Sequence, residues 1–397
     1  MDTIIHKFEF NLPTSIFFGI NSIQQLPDIC KKFGFNILLV TLNDIKHLEK
    51  KILSVLENNG IVTETYRLPS PEPNCTIIDS SAKELSGKNY DCIIGLGGGS
   101  ALDFAKSLSI ALTNPEPIWM YANLSNRPPK PILNQTIPVI SIPTTSGTGS
   151  EVTPYAVLTN PETNQKGTIQ EAAIFSKAAF IDPTLMSSMP TELTASTGMD
   201  AFAHALESCL NISKYSPVSE WTAIESMKFI FEFLPKVLQE PSNLELRMNM
   251  AWASTLAGIA IAHRGTTTAH AIAETLGVLT KIPHAHCVTI STLPTLKMTY
   301  QKTIEKFAEI YDQLYWSNNQ ITYNEKANLL IQKIENLIEQ IGMKRTAKDY
   351  LSDETIYGLN NKILEHMLTN KFRPLRQHII QFSNKELLTI INEILGV

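Results

Sequence analysis

Between residues 36 and 142, short apolar runs alternate with stretches of helical period, and this alternation restricts the fold more than any other feature of the chain. Asn36–Thr41 predicts a buried strand, Ile45–Asn59 a helix, Ile61–Arg67 a strand and Ile77–Leu85 a helix. Tyr90–Gly95 predicts a further strand, Ala101–Leu112 a helix and Ile137–Ile142 a strand. Strands that are apolar throughout and separated by helices build a parallel sheet covered on both faces. An α/β domain with a parallel sheet is therefore expected over residues 1–188.

After Phe180-Ile-Asp-Pro-Thr-Leu the pattern changes. Val218–Leu234, Leu246–Ala262, Thr303–Tyr315, Tyr323–Ile341 and Asn384–Leu395 all run at helical period, with few strand-like stretches between them. An all-helical second domain over residues 189–397 follows, with the boundary near Pro190. Two cores also suit the 397-residue length, which exceeds what a single core usually serves.

Apolar residues make up 43% of the chain and charged ones 18%, so core-forming residues are plentiful. A net charge of −5 with scattered Lys and Arg leaves no basic face for nucleic acid. The start, Met-Asp-Thr-Ile-Ile-His-Lys-Phe-Glu-Phe, has neither the basic segment nor the apolar run of a signal peptide. No apolar stretch approaches the ~20 residues of a membrane span, so a cytoplasmic protein is expected. The five cysteines are odd in number, widely spaced and free of any Cys-x-x-Cys pair, which suits thiols better than a disulfide frame. The Pro-rich piece from Arg127 to Pro131 reads as a surface loop.

Two loops at strand ends have phosphate-binding chemistry. Gly95-Leu-Gly-Gly-Gly-Ser-Ala-Leu-Asp stands where a strand turns into a helix, so a pyrophosphate would meet bare backbone and the positive end of the helix. As Gly-x-Gly-x-x-Gly it is imperfect, with Ser100 in the third glycine position, and a tight structural turn explains the glycines equally well. Pro143-Thr-Thr-Ser-Gly-Thr-Gly-Ser-Glu is rich in hydroxyls and backbone donors and lacks the Gly-Lys-Ser/Thr of a P-loop. Together the loops favour a dinucleotide.

In the second half, Asp200 and His204 stand four residues apart in a helix-forming stretch, which aims both at one face. Five of the nine histidines (His204, His263, His270, His284 and His286) fall in the same window, a donor set suited to iron or zinc. His270 lies in a predicted helix closed by Gly277, and His284 follows Pro283 at the start of the next. His284 and His286, two apart, point in different directions, so one of them reaches a shared metal. With the histidines in one half and the loops in the other, the reaction centre is expected between the two.

These pieces resemble the iron-containing alcohol dehydrogenases, within the wider group that includes glycerol dehydrogenase and dehydroquinate synthase. The matching segments are Gly97–Lys106, Pro143–Thr153, Ile181–Thr184, Thr197–Glu207, and His270 with Pro283-His284 beyond it; the likeness spans nearly the whole chain. The resemblance implies Asp200, His204, His270 and His284 as metal ligands, with Fe2+ or Zn2+ as the ion. It implies a site for NAD or NADP at Gly98, Gly99, Ser100, Thr144, Thr145 and Thr148. Asp103 is expected to organise the glycine loop, Lys166 resembles a family lysine near the cofactor, and Glu207 either orients His204 or faces solvent. The resemblance further implies a homo-oligomer, a dimer, acting on a small alcohol or aldehyde. A metal so held would polarise a carbonyl while hydride passes to or from nicotinamide.

The chain departs from the family pattern in two places. Where many members close the second strand with a carboxylate for the adenosine ribose, Thr41 is followed here by Leu42, with Asn43 and Asp44 beyond, so NADP is permitted but no arginine stands ready to hold it. Glu274 stands where members often carry a histidine. One turn after His270, it is expected to line the substrate pocket and favour neutral or cationic substrates; a fifth ligand or a helix cap are the other readings. A dehydroquinate-synthase-like lyase would need more basic residues around His270–His284, and an idle assembly protein would need a damaged ligand set.

Overall fold

The computed structural model describes residues 7–70, 72–124, 126–315, 321–370 and 373–397. The described residues form two compact units: Asn11–Met189 with Pro241–Ala251, and residues 7–10 with Pro190–Glu240 and Trp252–Val397.

The first unit is built on a parallel sheet. Its strands are β1 (Ser15–Phe18), β2 (Asn36–Thr41), β3 (Val62–Arg67), β4 (Cys92–Gly97), β5 (Val139–Pro143) and β8 (Ala178–Ile181), in the order β1-β8-β5-β4-β2-β3 and parallel at every pairing. Between β5 and β8, an antiparallel hairpin of β6 (Tyr155–Asn160) and β7 (Gln165–Gln170) stands apart from it. β2 shows why the central strands read as unbroken apolar runs. Its Leu38 and Val40 enter a core with Ile78 and Phe104, while Ile37 and Leu39 enter another with Ile52, Leu56 and Phe180. Both faces are covered, so alternation with polar residues disappears. β3, at the edge, is polar and only half-buried, and its Glu64 accepts from Lys88 and Tyr90.

The expected strands and helices form, with ends displaced by up to a few residues. β4 starts at Cys92 rather than Tyr90; Asp91, just before it, accepts through its side chain from the backbone N–H groups of Phe35 and Asn36 at 2.9 Å each. It continues through Gly97, which pairs with Pro143 of β5, and a Cβ on Gly95 would meet Leu102 and Ala105 of the following helix at 3.1–3.2 Å. That glycine serves close strand–helix packing rather than a turn. β1 and β8 span four residues each, too few to show a period.

In the second unit the described elements are helices, including Thr191–Leu210, Pro217–Gln239, Thr268–Thr280, His284–Tyr300, Tyr323–Gln340 and Asn384–Leu395. Gly277 does not close its helix. The helix runs on to Thr280, and Lys281 takes the left-handed position at φ 63°. Among the described residues no helix is long and apolar enough to cross a membrane, and the five cysteines are free and buried.

Candidate metal centre and dinucleotide loops

The helix Thr191–Leu210 is buried along nearly its whole length, so its polar side chains must find partners inside the protein. Asp200 and His204 lie one turn apart on it. Across from them, the helix Thr268–Thr280 supplies His270 in its first turn, and the helix His284–Tyr300 supplies its first residue, for which Pro283 serves as N-cap. Three imidazole nitrogens surround one carboxylate oxygen: Asp200 Oδ1 is 3.9 Å from His204 Nε2, 3.5 Å from His270 Nε2 and 3.9 Å from His284 Nε2.

These separations are too long for hydrogen bonds. They suit donors gathered round a cation, since ligands about 2.1 Å from a tetrahedral metal stand roughly 3.4 Å from one another. Asp200 Oδ1 and His270 Nε2 are buried and make no hydrogen bond, which in a protein interior is costly unless an ion takes their place. The ligand atoms of Asp200, His270 and His284 lie within 4.8 Å of one another. His204 is the outlying member, its ring stacked on that of His270 at 4.5 Å between centroids. The donor set therefore fits a divalent metal. His284, with its side chain 34% exposed against 2–8% for the others, marks the open side.

Charge in the site is arranged for a cation. Burial alone would raise the Asp200 carboxyl, yet His204, His270 and His284 hold it well below the usual carboxylate range. Burial would likewise lower His270, but Glu207 and Asp200 on either side raise it to about 10.

Glu207 does not orient His204. Its Oε1 lies 2.5 Å from His270 Nδ1, and its Oε2 accepts from the backbone N–H and the hydroxyl of Thr267. The reason is geometric: Glu207 stands two turns from Asp200 and looks across to the start of the neighbouring helix, where Thr267 is the N-cap. A carboxylate behind the ring holds its outer nitrogen toward the metal position. Of the remaining histidines in the window, His286 turns to the Tyr350 hydroxyl at 2.7 Å, and His263 stacks on Phe10 at 4.2 Å between centroids. Glu274, one turn beyond His270, is half-buried and lies outside the converging trio.

The two loops of the other unit pack together at the ends of β4 and β5. Thr144 N–H donates to the Gly97 carbonyl at 2.9 Å, and Gly97, at φ 150°, holds a conformation that side chains rarely adopt. A Cβ on Gly98 would meet Thr145 Oγ1 at 3.1 Å, and one on Gly99 would meet Thr148 Cγ2 at 2.7 Å. Leu42, after β2, lies beside Gly97, whose Cβ would stand 3.5 Å from Leu42 Cδ1. Gly98 is the N-cap of the helix Gly99–Ala111, and Ser100 lies in its first turn. Free helix N–H groups and threonine hydroxyls thus meet at strand ends, the place where open α/β sheets bind dinucleotides.

Asp103 ties this arrangement from behind. It accepts from Ser150 Oγ at 2.6 Å and from Val157 N–H at 3.0 Å, so it holds the second loop and the hairpin without facing a ligand. Lys106, one turn further, was not expected to have a role. Buried with the rest of its helix, its ammonium donates to the carbonyls of Ser150, Thr153 and Tyr155, and burial lowers it to about 8 against the pull of Asp103 and Glu151. The only hint in the sequence was a lysine amid Phe104-Ala-Lys-Ser-Leu. Lys166 faces Thr159 across the β6–β7 hairpin, and its ammonium makes no hydrogen bond or ion pair with the described residues.

Comparison with known proteins agrees with this layout in both units. A family profile described as iron-containing alcohol dehydrogenase matches residues 13–183, and one for the C-terminal part of the Fe-containing alcohol dehydrogenase family matches residues 194–387. The 1,3-propanediol dehydrogenase of Citrobacter freundii is 31% identical over 347 residues, 86% of this chain and 88% of that one. The choline dehydrogenase of Bacillus subtilis is 28% identical over 365 residues, 91% of this chain and 90% of that one. Among solved structures, the alcohol dehydrogenase from Oenococcus oeni superposes with a TM-score of 0.89 at 28% identity, covering 98% of this chain and all of that one.

Proposed function

The chain belongs to the iron-containing alcohol dehydrogenase family and is a metal-dependent oxidoreductase of alcohols and aldehydes that uses NAD or NADP; from this premise we propose how its own residues divide the work. Asp200, His204, His270 and His284 hold the metal. Gly98, Gly99, Ser100, Thr144, Thr145 and Thr148 receive the dinucleotide, Asp103 keeps their loops in register, and Lys166 stands on the cofactor side. When bound, the metal supplies a Lewis acid for the substrate oxygen and the nicotinamide exchanges the hydride. The observation that carries this reading is the buried, unbonded Asp200 Oδ1 with three imidazole nitrogens 3.5–3.9 Å away.

The partly exposed His284 gives the substrate its approach. Glu274, half-buried on the helix of His270, lines that approach and favours neutral or cationic alcohols; a relative that is a choline dehydrogenase is consistent with a cationic substrate. An ionised carboxylate there opposes acidic substrates by like-charge repulsion. The protein acts in the cytoplasm as a homo-oligomer, a dimer, and light scattering on the purified chain tests the latter.

A panel of neutral, cationic and anionic primary alcohols, run with NAD and with NADP on protein loaded separately with Fe2+ and Zn2+, tests the proposal through nicotinamide absorbance. Metal-dependent turnover that disfavours the anionic alcohols supports it, and Glu274→Gln should relax that bias while metal content stays full. Loss of metal in Glu274→Gln would make this residue a ligand; an unchanged substrate bias would remove it from the pocket.

A further inference from the structure

Glu207 uses both of its carboxylate oxygens, and they face different kinds of partner. Oε2 receives two donors from Thr267, the backbone N–H at 2.5 Å and the hydroxyl at 2.7 Å, while Oε1 faces His270 Nδ1 at 2.5 Å. Glu207, Thr267 and His270 are 2%, 0% and 3% exposed, so bulk water does not compete for these bonds. A carboxylate oxygen accepts, so Nδ1 carries a proton, and in the neutral ring that a metal ligand must be, the lone pair is left on Nε2. That lone pair is the one directed toward Asp200 Oδ1, 3.5 Å away.

We propose that Glu207 is a positioning residue that sets the tautomer of His270, and that Thr267 makes the setting specific to a carboxylate. The inference rests on the metal reading given above. Glutamine has the shape of glutamate, and elsewhere an amide satisfies a histidine in either sense by exchanging its oxygen and nitrogen. Thr267 forbids the exchange. Its backbone N–H can only donate, so the position of Oε2 requires an oxygen. A glutamine at 207 must then point its NH2 group at His270 Nδ1. That group donates, Nδ1 becomes the acceptor, and the ring proton moves to Nε2, the atom that faces the metal position. An isosteric change, at a residue that touches only the far side of the His270 ring, blocks one ligand atom of the cluster.

The consequence is an inverted order of severity. For a merely structural carboxylate, Glu207→Gln is the mild change and Glu207→Ala, which leaves a void, the harsh one. For a tautomer setter, Glu207→Ala leaves space for a water that accepts from Nδ1–H, so His270 keeps Nε2 bare. Glu207→Gln then harms metal binding more than Glu207→Ala while harming the fold less.

The test is Co2+ titration of metal-free wild type, Glu207→Gln and Glu207→Ala, with thermal unfolding and the 15N spectrum of histidine-labelled protein. The proposal predicts that Glu207→Gln loses on the order of 10–100-fold in Co2+ affinity, more than Glu207→Ala, with its thermal midpoint near wild type. It also predicts that, at a pH where the ring is neutral, the single His270 proton in metal-free Glu207→Gln resides on Nε2. Co2+ affinity of Glu207→Gln equal to wild type, or a His270 proton still on Nδ1 in that variant, overturns the proposal and leaves the metal reading intact. Wild-type protein that takes up no Co2+ overturns the metal reading, and this inference with it.

Discussion

His270 and His286 are both buried histidines of the same unit, yet only one faces Asp200, and their substitution separates site from scaffold. Removing His270 takes a donor from the converging trio and leaves Asp200 with one fewer compensating group. His270→Ala is expected to lose its metal and its turnover while nucleotide affinity survives, because the loops belong to the other unit. His286→Ala removes the contacts with Tyr350 and Glu192, neither of them a proposed ligand, and should keep the metal. Metal analysis and nicotinamide-fluorescence titration check the pair; retained metal in His270→Ala would remove that residue from the ligand set.

His378 offers a prediction about pH. It is fully buried, and its Nε2 lies 3.0 Å from Thr299 Oγ1, a hydroxyl that donates to the Thr295 carbonyl, so the imidazole must be the donor between them. Burial lowers it from its ordinary 6.5 to about 4. A lowered pKa means that the unfolded chain takes up the proton first. The contribution is fully present above pH 6.5 and is lost as pH falls toward 4, roughly 3 kcal/mol over the whole interval. His378→Gln should flatten the acid limb of denaturant stability between these values, and an unchanged slope would contradict this account of the side chain.

At the scale of elements, the closeness of the glycine and threonine loops is what the nucleotide depends on. Adding a methyl group at Gly99 brings a Cβ to 2.7 Å from Thr148 Cγ2, and Thr148 is not free to turn because its Oγ1 accepts from Ser150 N–H at 3.2 Å. Gly99→Ala should therefore push the loops apart and weaken nucleotide binding by about tenfold or more, equivalent to at least ~1.4 kcal/mol, with metal content unchanged. Equal affinity in a folded Gly99→Ala would make this packing irrelevant to the cofactor.

The same elements show what a sequence reveals and what it conceals. The spacing of Asp200 and His204 was legible because both lie on one helix, and the strand–helix alternation was legible because the period is local. The partner of Glu207 was not, since His270 is 63 residues away and spacing along one helix says nothing of the helix opposite. Nor was the task of Lys106, whose carbonyl partners arrive from a loop 44–49 residues on. Gly277 misled for a related reason: nothing local distinguishes a glycine that ends a helix from one that lies within it.

For the whole molecule, the helical unit supplies the carboxylate and imidazoles and the α/β unit supplies the strand-end loops. Under the proposed division of work, turnover draws on the contents of both. The most direct measurement is turnover during metal reconstitution: protein stripped by a chelator is titrated anaerobically with Fe2+ while alcohol oxidation is followed through nicotinamide absorbance. The account predicts no turnover in the stripped protein and a rate that rises with added Fe2+ until the single site of each chain is filled. Undiminished turnover in protein shown by elemental analysis to be metal-free would contradict it.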